Sequence, residues 1–580
     1  MSRIRLVKKV VGVFVFLFCS HVFADDFPPN LEELEKLGEA QELLQNQNVS
    51  NFDLYKDIVI VESVVPYDLN PQTTAYSVDS AILSGLYEGL VSNNPKTLEP
   101  EFAIAVSYKI SRDKKRWTFI LRDDAYFSNG EKITADAVRK SFLMLLANPN
   151  APYASLIDIV RGAENYRKGI GKSEEVGIVV NAENKITFVL NSPANYFLSV
   201  LCHTAFSIVH EDSTVFSGPF ILASNEYGVI ELLKNENYWD KNNVKLEKIT
   251  FLQSDDKELN TQLFNTGDVH WISAGNVDTN KIINKKALQF SGQFGTTYMF
   301  FKLQENEDFF EEDSEISLVV SDEKVWNKKE FRNAVLEAFP WDEIRKNVSI
   351  PATTFVYPLA GYPPVNGFSY TDEVEAVNMM NEARRNNDIG EEEIIPLVFE
   401  VSTGFFSENQ KQIMKNALLP LNVDLQIVEI HPAKYLRSVA SSEADLFLYS
   451  WTGDFADPLA FLELFRGNST LNDSNWKNED FDRLIEEAAI ASVENRFSIL
   501  AKAEEILLDE GMIIPLQHPL SLNVINLKEI GGWAANAFDF HPLKYLYRNH
   551  IEIELPNVVK DNIKKEEINA NKNSIRFTSM

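Results

Sequence analysis

Asp454 stands in the octapeptide WTGDFADP, Trp451 to Pro458, directly after a short run of aromatic and branched residues. A carboxylate in such a place can meet a cation. The run itself, DLFLYS from Asp445 to Ser450, reads as a buried strand. Gly453 lets the chain turn at the strand's end and Pro458 stops its continuation, so Asp454 is expected at the mouth of a sheet. An aspartate there also serves as a turn former or helix N-cap, and the octapeptide alone does not choose among these uses.

Other residue types capable of chemistry do not assemble into a catalytic or metal-binding pattern. GIGKS, Gly169 to Ser173, ends like a phosphate loop, but the first glycine of that loop falls at Tyr166 and the preceding AENYRK reads as helix. His203 and His210 are seven residues apart with no acidic or cysteine partner at ligand spacing, which suits surface or core histidines better than a metal site. Nine acidic residues between Glu305 and Glu323 lack the alternating oxygen ligands of a calcium loop and read as a solvated insertion. No HExxH, GxSxG or paired-cysteine motif occurs, and no nucleophile is paired with a base. Neither an enzyme nor a metal or other cofactor is expected.

These residues belong to a chain of 580, 45% hydrophobic and 24% charged. At about 150 residues per domain, that length predicts three or four structural units. A formal charge of −30 and a pI near 4.8 argue against nucleic acid or anionic lipid as the main partner. Arg3, Arg5, Lys8 and Lys9, then the apolar Val10 to Phe18, then Val22-Phe23-Ala24 read as a secretory signal peptide over 1–24. Nine apolar residues fall short of the roughly 20 that span a bilayer. Phe18 argues against acylation of Cys19, since a small residue is required there. Removal of 1–24 leaves Cys202 as the sole cysteine, and an internal disulfide is then impossible.

The elements that must position Asp454 alternate between strand and helix. DIVIVES from Asp57, WTFILR from Trp117, KITFVL from Lys185 and VIELLKN from Val229 read as strands. Val78 to Leu90, Ala135 to Leu146 with Thr134 as its N-cap, Thr371 to Arg385, Asn409 to Leu419, Phe481 to Ala489 and Asn495 to Leu508 read as helices. Such mixing predicts α/β lobes. Leu31, Leu34 and Leu37 form a separate helix capped by Asn30, and Lys560 to Met580 reads as a disordered tail.

The octapeptide, the C-terminal stretch Phe461 to Pro519, and the N-terminal LYEGLV from Leu86, LEPEFAIAVSYKIS from Leu98 and WTFILRDDAYFSNGEKITADAVRKSF from Trp117 together resemble the extracytoplasmic solute-binding proteins of family 5. These are the oligopeptide- and dipeptide-binding proteins of ABC importers, and the similarity runs from about Asp57 to Asn549. It implies a two-lobed α/β binding-protein fold with mixed sheets, two crossing strands and an extra subdomain. On that pattern, 25–56 is a helical extension, 57–76, 186–297 and 521–556 form lobe I, 77–185 an inserted subdomain II, 298–520 lobe III, and 557–580 the tail. It further implies a periplasmic monomer that takes a short peptide between its lobes and delivers it to permease subunits.

The matching aspartate of that family grips a peptide's α-ammonium, so Asp454 is the expected anchor. The ligand is expected as an added strand beside Val61 to Val64, with Glu62 and Val64 as contacts, and beside Ser450, Trp451, Thr452 and Gly453, with Trp451 as a pocket wall. Family members often clamp the peptide carboxylate with an arginine, yet here those places hold Leu448 and Gly404. Lys302, His518 and Arg437 are the candidate replacements. Related proteins bind oligosaccharides, nickel complexes or haem, and a non-transport envelope chaperone on the same fold is the remaining alternative. Asp454 favours peptides, because sugars offer no cation.

Overall fold

The computed structural model describes residues 56–273, 275–304, 324–346 and 348–549. The basic N-terminal stretch, the helix expected around Leu34, the acidic segment from Glu305 to Glu323 and the C-terminal tail lie outside the described residues. The described residues form one compact unit by their internal contacts.

The strand Asp57–Glu62 lies inside a seven-stranded sheet, and its near-continuous apolar pattern reflects burial on both faces. It pairs in parallel with Lys248–Gln253 along its whole length and with Trp271–Ile272 on its other edge. Val229–Lys234 and Phe220–Glu226 extend the sheet on one side, Leu520–Ile525 and Leu288–Gly292 on the other. The helix Ser77–Leu86 packs Ile82, Leu83 and Leu86 onto it, in one core with Phe220, Ile230 and Leu232. This helix stops four residues before the expected Leu90 because Tyr87 takes up extended backbone.

A second, antiparallel sheet has the order Ala105–Ile110, Arg116–Leu121, Lys185–Val189, Ile178–Ala182. Beside it runs the helix Ala135–Ala147, which starts where Thr134 Oγ1 accepts the Ala137 N–H at 3.2 Å. Val138, Phe142, Leu145 and Leu146 form its buried stripe. The third sheet is mixed, in the order Val423–Ile430, Ile395–Ser402, Leu446–Thr452, Gly295–Phe301, Ile513–Gln517. Every residue of Gly295–Phe301 is buried.

The chain passes between the first and third sheets twice, at Gln293–Phe294 and at His518–Pro519. The two crossings touch, with the Gln293 N–H donating to Pro519 O at 3.0 Å. The second sheet's subdomain also meets the third sheet's lobe. Ser155 Oγ donates to Glu463 Oε1 at 3.1 Å, Thr470 Oγ1 to Pro152 O at 2.6 Å and Asn468 Nδ2 to Glu164 Oε1 at 2.9 Å.

Sheet pairing moves several of the expected boundaries. Helix Ser77–Leu86 shares the core of the first sheet rather than opening subdomain II. Strand Lys185–Val189 is paired within the second sheet, so a boundary after 185 would cut it. Gly295–Thr297 belong to the third sheet and Leu520 to the first. In each case hydrogen bonds to segments far along the chain decide membership, which composition along the chain does not register. Among the described residues no helix is long and apolar enough to cross a membrane.

Candidate functional site

Strand Leu446–Thr452 pairs with Gly295–Phe301 over its full length, but with Ile395–Ser402 only at Leu446 and Phe447. At the next position the Tyr435 hydroxyl accepts the Leu448 N–H and donates to Leu448 O, both at 2.8 Å. Among the described residues no strand covers the rest of that edge, Tyr449 to Thr452. Tyr449 to Asp454 line a cavity of about 770 Å³. Thr73 to Ser77 supply another wall, and Pro152, Tyr153 and Cys202 to Thr204 come in from the second sheet's subdomain.

Asp454 follows this strand by two residues, with its side chain 15% exposed. Its Oδ1 lies 3.3 Å from His203 Nε2 and accepts from the Tyr153 hydroxyl at 3.4 Å. The rings of Tyr153 and His203 are 4.1 Å apart, centroid to centroid. Burial, then the Asp454 charge, push the Tyr153 phenol well above its ordinary range, so it remains a donor. Both contacts to Asp454 are long for hydrogen bonds, so the carboxylate can still engage a closer cation. Gly453 follows the strand's last residue, where the turn is expected, and carries a further constraint. Its φ is not positive, and a Cβ there would lie 2.5 Å from the Phe294 ring, so close approach demands glycine.

Trp451 lines the cavity half-buried, with its indole N–H donating to Ala460 O at 2.8 Å. Ser450 is exposed and its hydroxyl lies 3.0 Å from Thr297 Oγ1. Thr452 lines both this cavity and an adjoining one of about 450 Å³. Beside Ser450, Tyr449 donates its hydroxyl to Asp473 Oδ2 at 3.0 Å. Burial raises the Asp473 carboxyl above the usual carboxylate range, partly offset by that bond and by the Lys302 charge. The Cys202 thiol, pushed up by burial, donates to Leu198 O at 3.4 Å.

Three expected ligand residues lie elsewhere. Glu62 ends a strand that Lys248–Gln253 pairs along its whole length and Trp271–Ile272 at Ile60 and Val61, its carbonyl accepts the Ser254 N–H at 2.9 Å, and it faces the smaller cavity. Burial pushes its carboxyl up to about 8; a Ser273 hydrogen bond opposes this and the Asp539 charge adds to it. Val64 is 44% exposed, lines neither cavity, and gives its N–H to Asp255 Oδ1 at 3.2 Å. His518 is buried at the second crossing, its Nδ1 3.0 Å from Gly295 O and 3.1 Å from Thr296 Oγ1, and burial lowers its pKa. It braces the crossing and does not line the cavity.

The other carboxylate-clamp candidates fare no better. Lys302 spends its three donors on the carbonyls of Val439, Ala440 and Ser442, at 2.8, 3.0 and 3.1 Å. The side chain of Arg437 is outside what the structure describes. Leu448 is buried and Gly404 sits in an open turn, and neither lines the cavity. His210 pairs with Glu131 at 3.1 Å, and GIGKS forms the loop after the helix Ala163–Arg167.

Residues 99–473 match the family of bacterial extracellular solute-binding proteins, family 5 Middle. The chain belongs to that family. This family 5 protein is 25% identical over 511 residues to the dipeptide-binding protein DppE of Bacillus subtilis, covering 83% of this chain and 90% of the relative. It is 24% identical to the periplasmic murein peptide-binding protein MppA of Escherichia coli, over 78% and 85% of the two chains. Among solved structures, the E. coli murein tripeptide binding protein MppA superposes with a TM-score of 0.74 at 21% identity, covering 86% of this chain and 99% of that one. Haemophilus influenzae OppA in complex with RPPGFSPFR gives 0.72 at 21% identity, covering 86% and 100%. An unliganded open form of MppA gives only 0.56, covering 86% and 98%.

Sequence reading missed Tyr153, His203, Asp473 and the Thr73–Ser77 wall. His203 reaches Asp454 from 251 positions away in the chain, and no local signal marks it. Tyr153 carries a faint one, an aromatic residue within the loop NPNAPYAS.

Proposed function

We propose that this protein captures short peptides with a free amino terminus between its lobes and delivers them to the permease of an ABC importer. The observation that carries the reading is an uncovered strand edge, Tyr449 to Thr452, with a carboxylate at its end and a cavity in front. A peptide laid along that edge satisfies its own backbone donors and acceptors as an added strand. Its ammonium then takes the place beside Asp454 that Tyr153 and His203 hold at long range. At about 4 Å and an effective dielectric near 20, the ammonium pair is worth ~4 kcal/mol before desolvation is subtracted. Trp451 bounds one side of the ligand. Glu62, Val64 and His518 make no contact with its backbone.

Relatives named for dipeptides, oligopeptides and murein peptide support the ligand class. The N-terminal basic and apolar stretch supports export to the periplasm, where such a protein acts as a monomer. Native mass spectrometry of the purified protein tests the reading. Co-purifying peptides, released by excess free-amine peptide but not by its N-acetylated form, are the expected result. Equal displacement by both forms would remove Asp454 from its role.

A further inference from the structure

We infer that the preferred ligand carries positive charge on its side chains as well as at its amino terminus, as a lysine- or arginine-containing peptide does. The inference rests on the peptide reading above and deepens it.

The larger cavity is lined by the carboxylates of Asp68, Asp454 and Asp473, and by no lysine or arginine among the described residues. The smaller is lined by Glu62 and Asp539, again without lysine or arginine. Among the described residues histidine supplies the only basic groups, His203 in one and His541 in the other. The two cavities adjoin at Ser77, Ser80, Thr452 and Phe538, which line both. In an extended ligand successive side chains point to opposite faces, so a peptide on the Tyr449–Thr452 edge can present one side chain to Asp473 and another to Glu62.

Neither of these carboxyls has a lysine or arginine within 4 Å among the described residues; Asp473 holds the Tyr449 hydroxyl and Glu62 the Ser273 side chain. Both are pushed up by burial, which outweighs the Tyr449 hydrogen bond and the Lys302 charge at Asp473 and the Ser273 hydrogen bond at Glu62. Glu62 is 4% exposed. Around it, Ser521 Oγ and His541 Nδ1 are buried with no hydrogen-bond partner, on residues that line the smaller cavity. An ammonium or guanidinium entering there pairs with Glu62 and releases its proton to solvent. An acidic ligand side chain finds no lysine or arginine among the described residues of either lining.

The test is calorimetric titration of the full protein with free-amine tripeptides and pentapeptides that differ at one position among lysine, its neutral near-isostere norleucine, and glutamate. Lysine is expected to bind at least about tenfold more tightly than norleucine at one or more positions, and glutamate most weakly of the three. Asp473→Asn or Glu62→Gln is expected to bring lysine and norleucine to near parity, with norleucine affinity retained as the control for folding. Norleucine equal to lysine at every position, with discrimination against N-acetylated peptides intact, overturns the inference and leaves the peptide reading standing. A lysine preference undiminished in both variants overturns the assignment to these residues. Failure of every free-amine peptide to bind overturns the inference together with the reading beneath it.

Discussion

Two carboxylates stand at or just beyond the ends of two apolar strands, Glu62 after DIVIV and Asp454 after LFLYSWT, and they have opposite fates. Glu62 ends a strand bonded on both edges, is sealed from solvent, and keeps its proton up to about pH 8. Asp454 follows a strand with one edge open, keeps some exposure and has two donors near by. The residue types are nearly the same. Edge pairing, a property of the whole sheet, separates a group beside an open strand edge from one at the end of a strand with neighbours on both sides.

The widest separation between the two sites is expected in the pH dependence of stability. Native Glu62 holds its proton to about pH 8, whereas the unfolded chain loses it near the ordinary value of 4.5. The native state thus binds more protons across that window, and stability falls as pH rises from 4.5 to 8, by on the order of 5 kcal/mol. Glu62→Gln is expected to flatten this fall in urea melts taken across the window, leaving the variant the more stable protein at pH 8. A variant melting in parallel with the parent at every pH would equate the two carboxylates.

Asp454→Asn is expected to weaken free-amine peptides by on the order of 100-fold, since it strips one partner from a desolvated ion pair. Titrations with N-acetylated peptides should change little. Gly453→Ala sharpens the contrast from the backbone side. Its Cβ drives into the Phe294 ring, with a cost of about 2 kcal/mol in thermal or urea unfolding and a misplaced Asp454. The smallest effect belongs to Tyr153→Phe. It removes a donor 3.4 Å from Asp454, and peptide affinity is expected to stay within about threefold.

Much of the architecture was legible where local pattern and tertiary structure agree. Thr134 caps its helix as its type and position predict, and the LFLYS run is a strand. Asp454 was legible as a residue at a sheet's mouth because strand, glycine and proline lie side by side in the chain. Glu62 and Val64 were misplaced for the opposite reason. An apolar run announces a buried strand but not which neighbours take its edges, and here Lys248–Gln253 and Trp271–Ile272 take both. His203 looked like an ordinary histidine since its partner lies on another lobe. Gly453 stands at the strand's end as its type predicts, whereas its close approach to the Phe294 ring comes from a residue far along the chain and leaves no local mark.

Phe294 lies on one of the two crossings, covers Gly453 with its ring, and accepts the Gly453 N–H through its carbonyl at 2.7 Å. Asp454, the proposed anchor one residue further on, therefore stands close to the crossings. In a rotation about the crossings, points near the axis sweep short arcs and distant points long ones. Asp454 would stay nearly still while Tyr153 and His203 swing away from it on the other lobe. If Asp454 holds a peptide's amino terminus as proposed, the terminus would meet its fulcrum before the jaws shut, with anchoring first and enclosure second.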